Sequence, residues 1–246
     1  MNDVRINPIN FYRSIFLFGI PAILFYTVLN HIIPIASNKF GIDFVIAWFL
    51  IGGFGVFIPL FFLALYLVRK EQGILNRKII IERLRLAKPG RKEIFDSLIA
   101  TVWCYLLSAL LVLVYNFLSS NSDLSGSLNS SKDLFNLNER STGAPLILLT
   151  WLPFFFFNIF GEEFLWRGFI LPGQIVVFGR NAWIVNAIFW LVFHIAFNFE
   201  LIITLLPILF ILPYYVQKSN NTWTGIIIHA LYNGPIFILI ALGIIS

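Results

Sequence analysis

Cysteine is almost absent from this chain of 246 residues; Cys104 stands alone. A single thiol excludes an intrachain disulfide and a cysteine-ligated metal cluster, and its place inside an apolar run makes it a helix-packing residue. Charge is scarce as well, at 12% of residues, and no hydrophilic stretch is long enough to form a separate soluble domain. What the chain has instead is apolar surface: 59% of residues are hydrophobic, with 28 Phe and 7 Trp, against about 45 to 50% in ordinary soluble domains. This excludes a soluble globular protein and predicts an all-α fold, a polytopic transmembrane helical bundle forming one membrane domain. The net charge of +5 does not point to nucleic acid, because the bases gather in one connecting segment rather than on an aromatic-interleaved surface. Membrane topology accounts for them.

Apolar segments at 14–36, 44–68, 98–118, 145–171, 181–199, 201–216 and 222–245 predict seven spans. An eighth arises if the chain breaks at Gly161 or if 174–178 re-enters the membrane, and Pro172-Gly173 is expected to end the fourth span. Residues 1–13 followed by an apolar run resemble a signal peptide, but the run continues to about Ala36 with no small-x-small cleavage site, so it is expected to be a retained first span. Residues 69–97 carry nine Lys or Arg against four acids, which by the positive-inside rule makes this loop, and the N-terminus, cytoplasmic. Within it Ile79, Ile80, Ile81, Leu84 and Leu86 alternate with bases; the segment is either amphipathic and laid on anionic lipid or a solvated basic loop. The Ser/Asn/Gly-rich 119–144 reads as a flexible loop on the opposite face. The chain thus divides into N-terminal membrane helices with these two loops (1–144) and a second helical core (145–246).

Chemistry concentrates in that second part. Glu162, Glu163 and Arg167 interrupt the apolar stretch from Thr150 to Phe178. An ionisable side chain at mid-membrane costs roughly 2.5 to 3.5 kcal/mol on insertion scales, so such groups persist where they face a bundle interior or a wet cavity. Helical spacing pairs Glu163 with Arg167 and leaves Glu162 without an obvious local partner. Two more polar sites follow: His194, four residues after Trp190, and His229 with Asn233, which share a helix face. At about 1.5 Å per residue from the expected cytoplasmic ends, these groups fall within one layer roughly 10 to 18 Å deep. His31 has no partner nearby in sequence and is expected to be interfacial or packed.

The three sites in this order resemble the CPBP family, the CAAX prenyl protease and bacteriocin-processing group of intramembrane endopeptidases, also labelled Abi. Its signature is Glu-Glu-x-x-x-Arg, then Phe-x-x-x-His, then His-x-x-x-Asn on successive helices. Here the first is Glu162-Glu163 with Arg167 and the third is His229 with Asn233; the second, Trp190 with His194, departs from the usual Phe but keeps an aromatic. The resemblance covers roughly 145–245. It implies an intramembrane endopeptidase in which Glu162 is general base, His194 holds the same water, His229 and Asn233 are oxyanion donors, and Glu163 pairs with Arg167. The resemblance admits a Zn²⁺ held by Glu162, His194 and His229, but no His-Glu-x-x-His helix is present and a metal-free mechanism is favoured. The expected partners are membrane lipid and a peptide or membrane-associated protein substrate, in the cell membrane of a bacterium. A non-catalytic bacteriocin-immunity or scaffold protein of the same family, or a proton-coupled transporter, remains an alternative; against the transporter, no inverted repeat is visible.

Overall fold

The computed structural model describes residues 4–120 and 145–241, so the polar segment expected over 119–144 lies almost wholly outside the described residues. Helix α1 spans Phe11–Phe40 and α2 spans Phe44–Gln72. Each start is fixed by a side chain that takes up orphan backbone N–H groups: Asn10 accepts from Arg13, and Asp43 accepts from Val45 and Ile46. The short α3 (Arg77–Arg83) and the long α4 (Arg91–Ser120) follow. The next helix, α5, runs as Pro145–Glu162, widens to a π-helix over Glu163–Ile170 and continues as Leu171–Phe178. A 3₁₀ turn, Gly179–Asn181, leads to α6 (Ala182–His194), α7 (Phe199–Ser219) and α8 (Thr222–Ala241).

Among the described residues, five stretches are long and apolar enough to cross a membrane: Phe11–Phe40, Phe44–Gln72, Arg91–Ser119, Ile147–His194 and Phe199–Ser219. The fourth joins α5 and α6, which hydropathy reads as two spans. Large apolar side chains such as Ile23, Leu113 and Phe117 are exposed on the outer faces, where a hydrocarbon solvent would cover them. The chain is an integral membrane protein. Inside, Trp166 and Trp190 are the largest fully buried side chains. Phe18 of α1 stacks on Trp166 with centroids 4.2 Å apart, and Phe25 stacks on Phe193 at 4.7 Å. Cys104 is buried, in keeping with a packing role.

Two expectations are corrected. Pro172-Gly173 does not end the fourth span, because α5 continues to Phe178. A proline lacks an N–H and so gives the carbonyls of the preceding turn one helical donor fewer. Arg83 supplies one from another part of the chain: its Nη1 donates to Gly168 O at 3.1 Å and its Nη2 to Phe169 O at 3.2 Å. Gly173 serves a different purpose. A Cβ there would lie 2.8 Å from Asn7 O, and its absence lets the N-terminal segment close in so that Ile9 N–H donates to Gly173 O at 2.9 Å.

The second correction concerns 69–97, which is not wholly a solvated loop, because part of it docks on the bundle. Arg77, Lys78, Arg91 and Lys92 are exposed, but Arg83 and Leu84 are buried. Arg83 Nε pairs with Glu71, and its guanidinium lies over the Phe169 ring. The following backbone docks on the start of α8: Thr222 N–H donates to Arg85 O, Thr222 Oγ1 to Leu84 O, Asn221 Nδ2 to Ala87 O and Trp223 Nε1 to Leu86 O. The same proline rule applies in α8. Pro235 leaves Leu231 O without a helical donor, and Tyr105 of α4 donates its hydroxyl to that carbonyl at 2.8 Å.

Candidate active site

Glu162 and Glu163 are consecutive on α5, so their side chains leave the helix in directions about 100° apart and enter different surroundings. Both are buried, at 2% and 0% exposure. Burying a carboxylate without partners is prohibitive, and each one has partners of a different kind.

Glu162 is held by neutral donors. Asn158 Nδ2, one turn earlier, donates to Oε1 at 2.8 Å. On the other oxygen, Trp190 Nε1 of α6 donates to Oε2 at 2.6 Å and Trp166 Nε1 at 3.3 Å. The expectation that Glu162 lacks a local partner is therefore corrected: Asn158 and Trp166 stand four residues before and after it. The signal was present in the sequence as a polar and an indole side chain at helical spacing, but an Asn and a Trp in an apolar helix have many other uses.

Glu163 is held by basic groups. Its Oε1 accepts from Arg167 Nη1 at 3.2 Å and from His229 Nδ1 at 2.9 Å. The pairing with Arg167 matches the helical spacing, and the bond to His229 ties α5 to α8. Room for this carboxylate comes from Gly225, one turn before His229: a Cβ at Gly225 would lie 2.8 Å from Val216 Cγ2 and run into Glu163 Oε2. The π-helix starts at Glu163; its extra residue per turn re-aims the side chains of Glu163 and Arg167 relative to those of the preceding α-helix, a device common where helices carry chemistry.

Trp190 connects these groups. The guanidinium carbon of Arg167 lies 3.5 Å from the centroid of its ring, a cation–π arrangement in a dry interior. His194 packs edge-on at 5.2 Å and His229 at 5.6 Å between centroids. His194 Nδ1 lies 2.8 Å from Trp190 O; a carbonyl only accepts, so Nδ1 carries the proton and Nε2 is the free ring nitrogen. The same logic at His229 puts a proton on Nδ1, facing Glu163, and leaves Nε2 on the far side of the ring. Asn233 is half-buried one turn beyond His229 on α8, and among the described residues its side chain makes no hydrogen bond. The structure thus gathers Glu162, Arg167, His194 and His229 around one indole, with Glu163 bonded to Arg167 and His229, and Asn233 one turn beyond His229 on α8. His31 is exposed on α1, near Tyr26 and away from this cluster.

The residues do not fit a Zn²⁺ site as arranged. Among the described residues no three His, Cys, Asp or Glu side chains stand together in a way that could hold one metal ion. Oε2 of Glu162 also faces two indole N–H donors, which repel a cation at that oxygen.

Comparison with known families gives a match over residues 144–234 to the family described as type II CAAX prenyl endopeptidase Rce1-like. The matched stretch contains all three motifs and agrees with the resemblance drawn from them. Searches of curated proteins and of solved structures gave no match.

Proposed function

We propose that this chain, which carries the type II CAAX prenyl endopeptidase Rce1-like domain over residues 144–234, hydrolyses a peptide bond of a membrane-associated protein or peptide by a metal-free, glutamate-driven mechanism. Hydrolysis needs a base for water, stabilisation of the oxyanion and a proton for the departing amine. Glu162 is the base. His194 Nε2, free because Nδ1 is held by Trp190 O, orients the same water. His229 and Asn233 are the oxyanion donors, and His229 presents an N–H from Nε2 when its ring is doubly protonated, with the Glu163 carboxylate at Nδ1 as counter-charge. Arg167 stays with Glu163 and stiffens that pair.

The observation that carries this reading is the environment of Glu162: a buried carboxylate that, among the described residues, is hydrogen-bonded by three neutral N–H donors and by no cation. A carboxylate locked in an ion pair would be a poor base, whereas one held by neutral donors keeps its capacity to take a proton. Of the two glutamates, Glu162 has this environment and Glu163 does not.

The test uses the purified chain in lipid vesicles with an internally quenched, prenylated peptide ending in a CAAX sequence, and the same peptide without the prenyl group. Glu162→Ala is expected to abolish cleavage while the protein melts as the wild type does, and chelators are expected to leave the wild type active. Wild-type turnover in Glu162→Ala refutes the base assignment. Activity lost on chelation and restored by Zn²⁺ refutes the metal-free step.

A further inference from the structure

We infer that Trp190 is a positioning residue for the hydrolytic step: with Trp166 it occupies Oε2 of Glu162 and leaves Oε1 as the oxygen that takes the proton from water. This rests on the reading of Glu162 as the base. A carboxylate has about four acceptor positions, two on each oxygen. Both positions on Oε2 are filled, by Trp190 Nε1–H at 2.6 Å and Trp166 Nε1–H at 3.3 Å. Oε1 holds one donor, Asn158 at 2.8 Å, and keeps one position open. In the reaction an O–H bond of water breaks, its proton goes to Oε1, and the oxygen bonds to the scissile carbonyl carbon as the carbonyl electron pair moves onto oxygen. When the C–N bond breaks, Glu162 returns the proton to the departing nitrogen and is a carboxylate again.

Trp190 also has the reach for this task. Its indole N–H is on Glu162, its ring lies under Arg167, its edges meet both histidines, and its own carbonyl fixes His194 Nδ1. At 1% exposure it is locked by packing. One rigid side chain therefore sets the angle of the base relative to the group that orients water. Trp166, at the longer distance, contributes less.

Trp190→Phe keeps a ring and removes the donor. Its kcat is expected to fall about 10- to 100-fold, the usual consequence of losing one hydrogen bond to a charged group, with KM within about two-fold of wild type. In a Glu162→Asp background, where the carboxylate no longer reaches the indole, the same change should have little further effect. A second measurement requires neither substrate nor a folded Trp190 variant. With ¹⁵N-labelled tryptophan, the indole resonance of Trp190 should shift upfield in Glu162→Ala, and that of Trp166, at the longer distance, by less. Wild-type kcat in Trp190→Phe, an undiminished effect in the Glu162→Asp background, or an unmoved set of indole resonances in Glu162→Ala would each overturn the inference. Wild-type turnover in Glu162→Ala overturns the base reading itself and this inference with it. An inactive Glu162→Ala beside a fully active Trp190→Phe overturns the inference alone.

Discussion

Two arginines are equally buried in different regions of the molecule, and they are used in opposite ways. Arg83, in the loop between α2 and α4, has its nitrogens filled: Nε on Glu71, Nη1 on Gly168 O and Nη2 on Phe169 O, with the Phe169 ring against its face. Arg167, among the motifs, uses Nη1 on Glu163, while Nε and Nη2 have no hydrogen-bond partner among the described residues, nor does Glu163 Oε2. A buried polar group with a partner on every nitrogen supports the fold. One with donors left empty weakens it, since each unmet donor carries a desolvation penalty. A partner on each nitrogen marks Arg83 as part of the scaffold, and the two unpartnered nitrogens of Arg167 mark it as part of a site whose arrangement is not optimised for stability.

The comparison breaks if the two arginines respond alike to substitution. The largest effect on stability is expected for Arg83→Met, which removes the cation paired with Glu71, leaving that carboxylate the Asn7 N–H and Gln72, and takes the donors from Gly168 O and Phe169 O; breaking a buried pair typically costs about 3 to 5 kcal/mol. Thermal melting of the purified protein in detergent should show this as a large fall in midpoint or as loss of folded material. Arg167→Met should cost less, about 1 to 3 kcal/mol, because Glu163 keeps His229 and two unmet donors are removed, yet turnover of the quenched peptide should drop at least about 100-fold. A melting midpoint lower than that of Arg83→Met would contradict the distinction. The smallest effect belongs to Tyr105→Phe, which removes the donor from Leu231 O while the ring keeps its stacking on Tyr232. About 1 kcal/mol is expected, and hydrogen exchange at α8 amides near Pro235 should report it as faster local opening.

Much of the site was legible because its parts are conspicuous. Charges and histidines in apolar helices stand out, and the Glu163–Arg167 pair follows from helical spacing alone. The bundle itself followed from hydropathy. Other features were not legible for identifiable reasons. Arg83 is one of nine bases between residues 69 and 97, and nothing local sets it apart; its partners include the carbonyls of Gly168 and Phe169, far along the chain. Tyr105 is likewise an ordinary aromatic of α4 until Pro235 frees a carbonyl opposite it. The bond from Trp190 to Glu162 depends on how α6 is rotated against α5, which aims the indole at one carboxylate rather than at lipid. The continuation of α5 through Pro172 escaped a rule that considers one helix at a time.

By itself the sequence determined that this chain is a helical membrane protein and which residues within it are chemically out of place, because the bilayer penalises charge strongly enough to make each exception visible. The tertiary structure alone decided what those exceptions do to one another. Adjacent on one helix, Glu162 and Glu163 are distinguished by what α6 and α8 add to their α5 neighbours: the Trp190 indole joins Asn158 and Trp166 on the first, and His229 joins Arg167 on the second. Hydrogen bonds are short and directional, so that division is set by the rotation and approach of whole helices, which no stretch of the chain encodes alone.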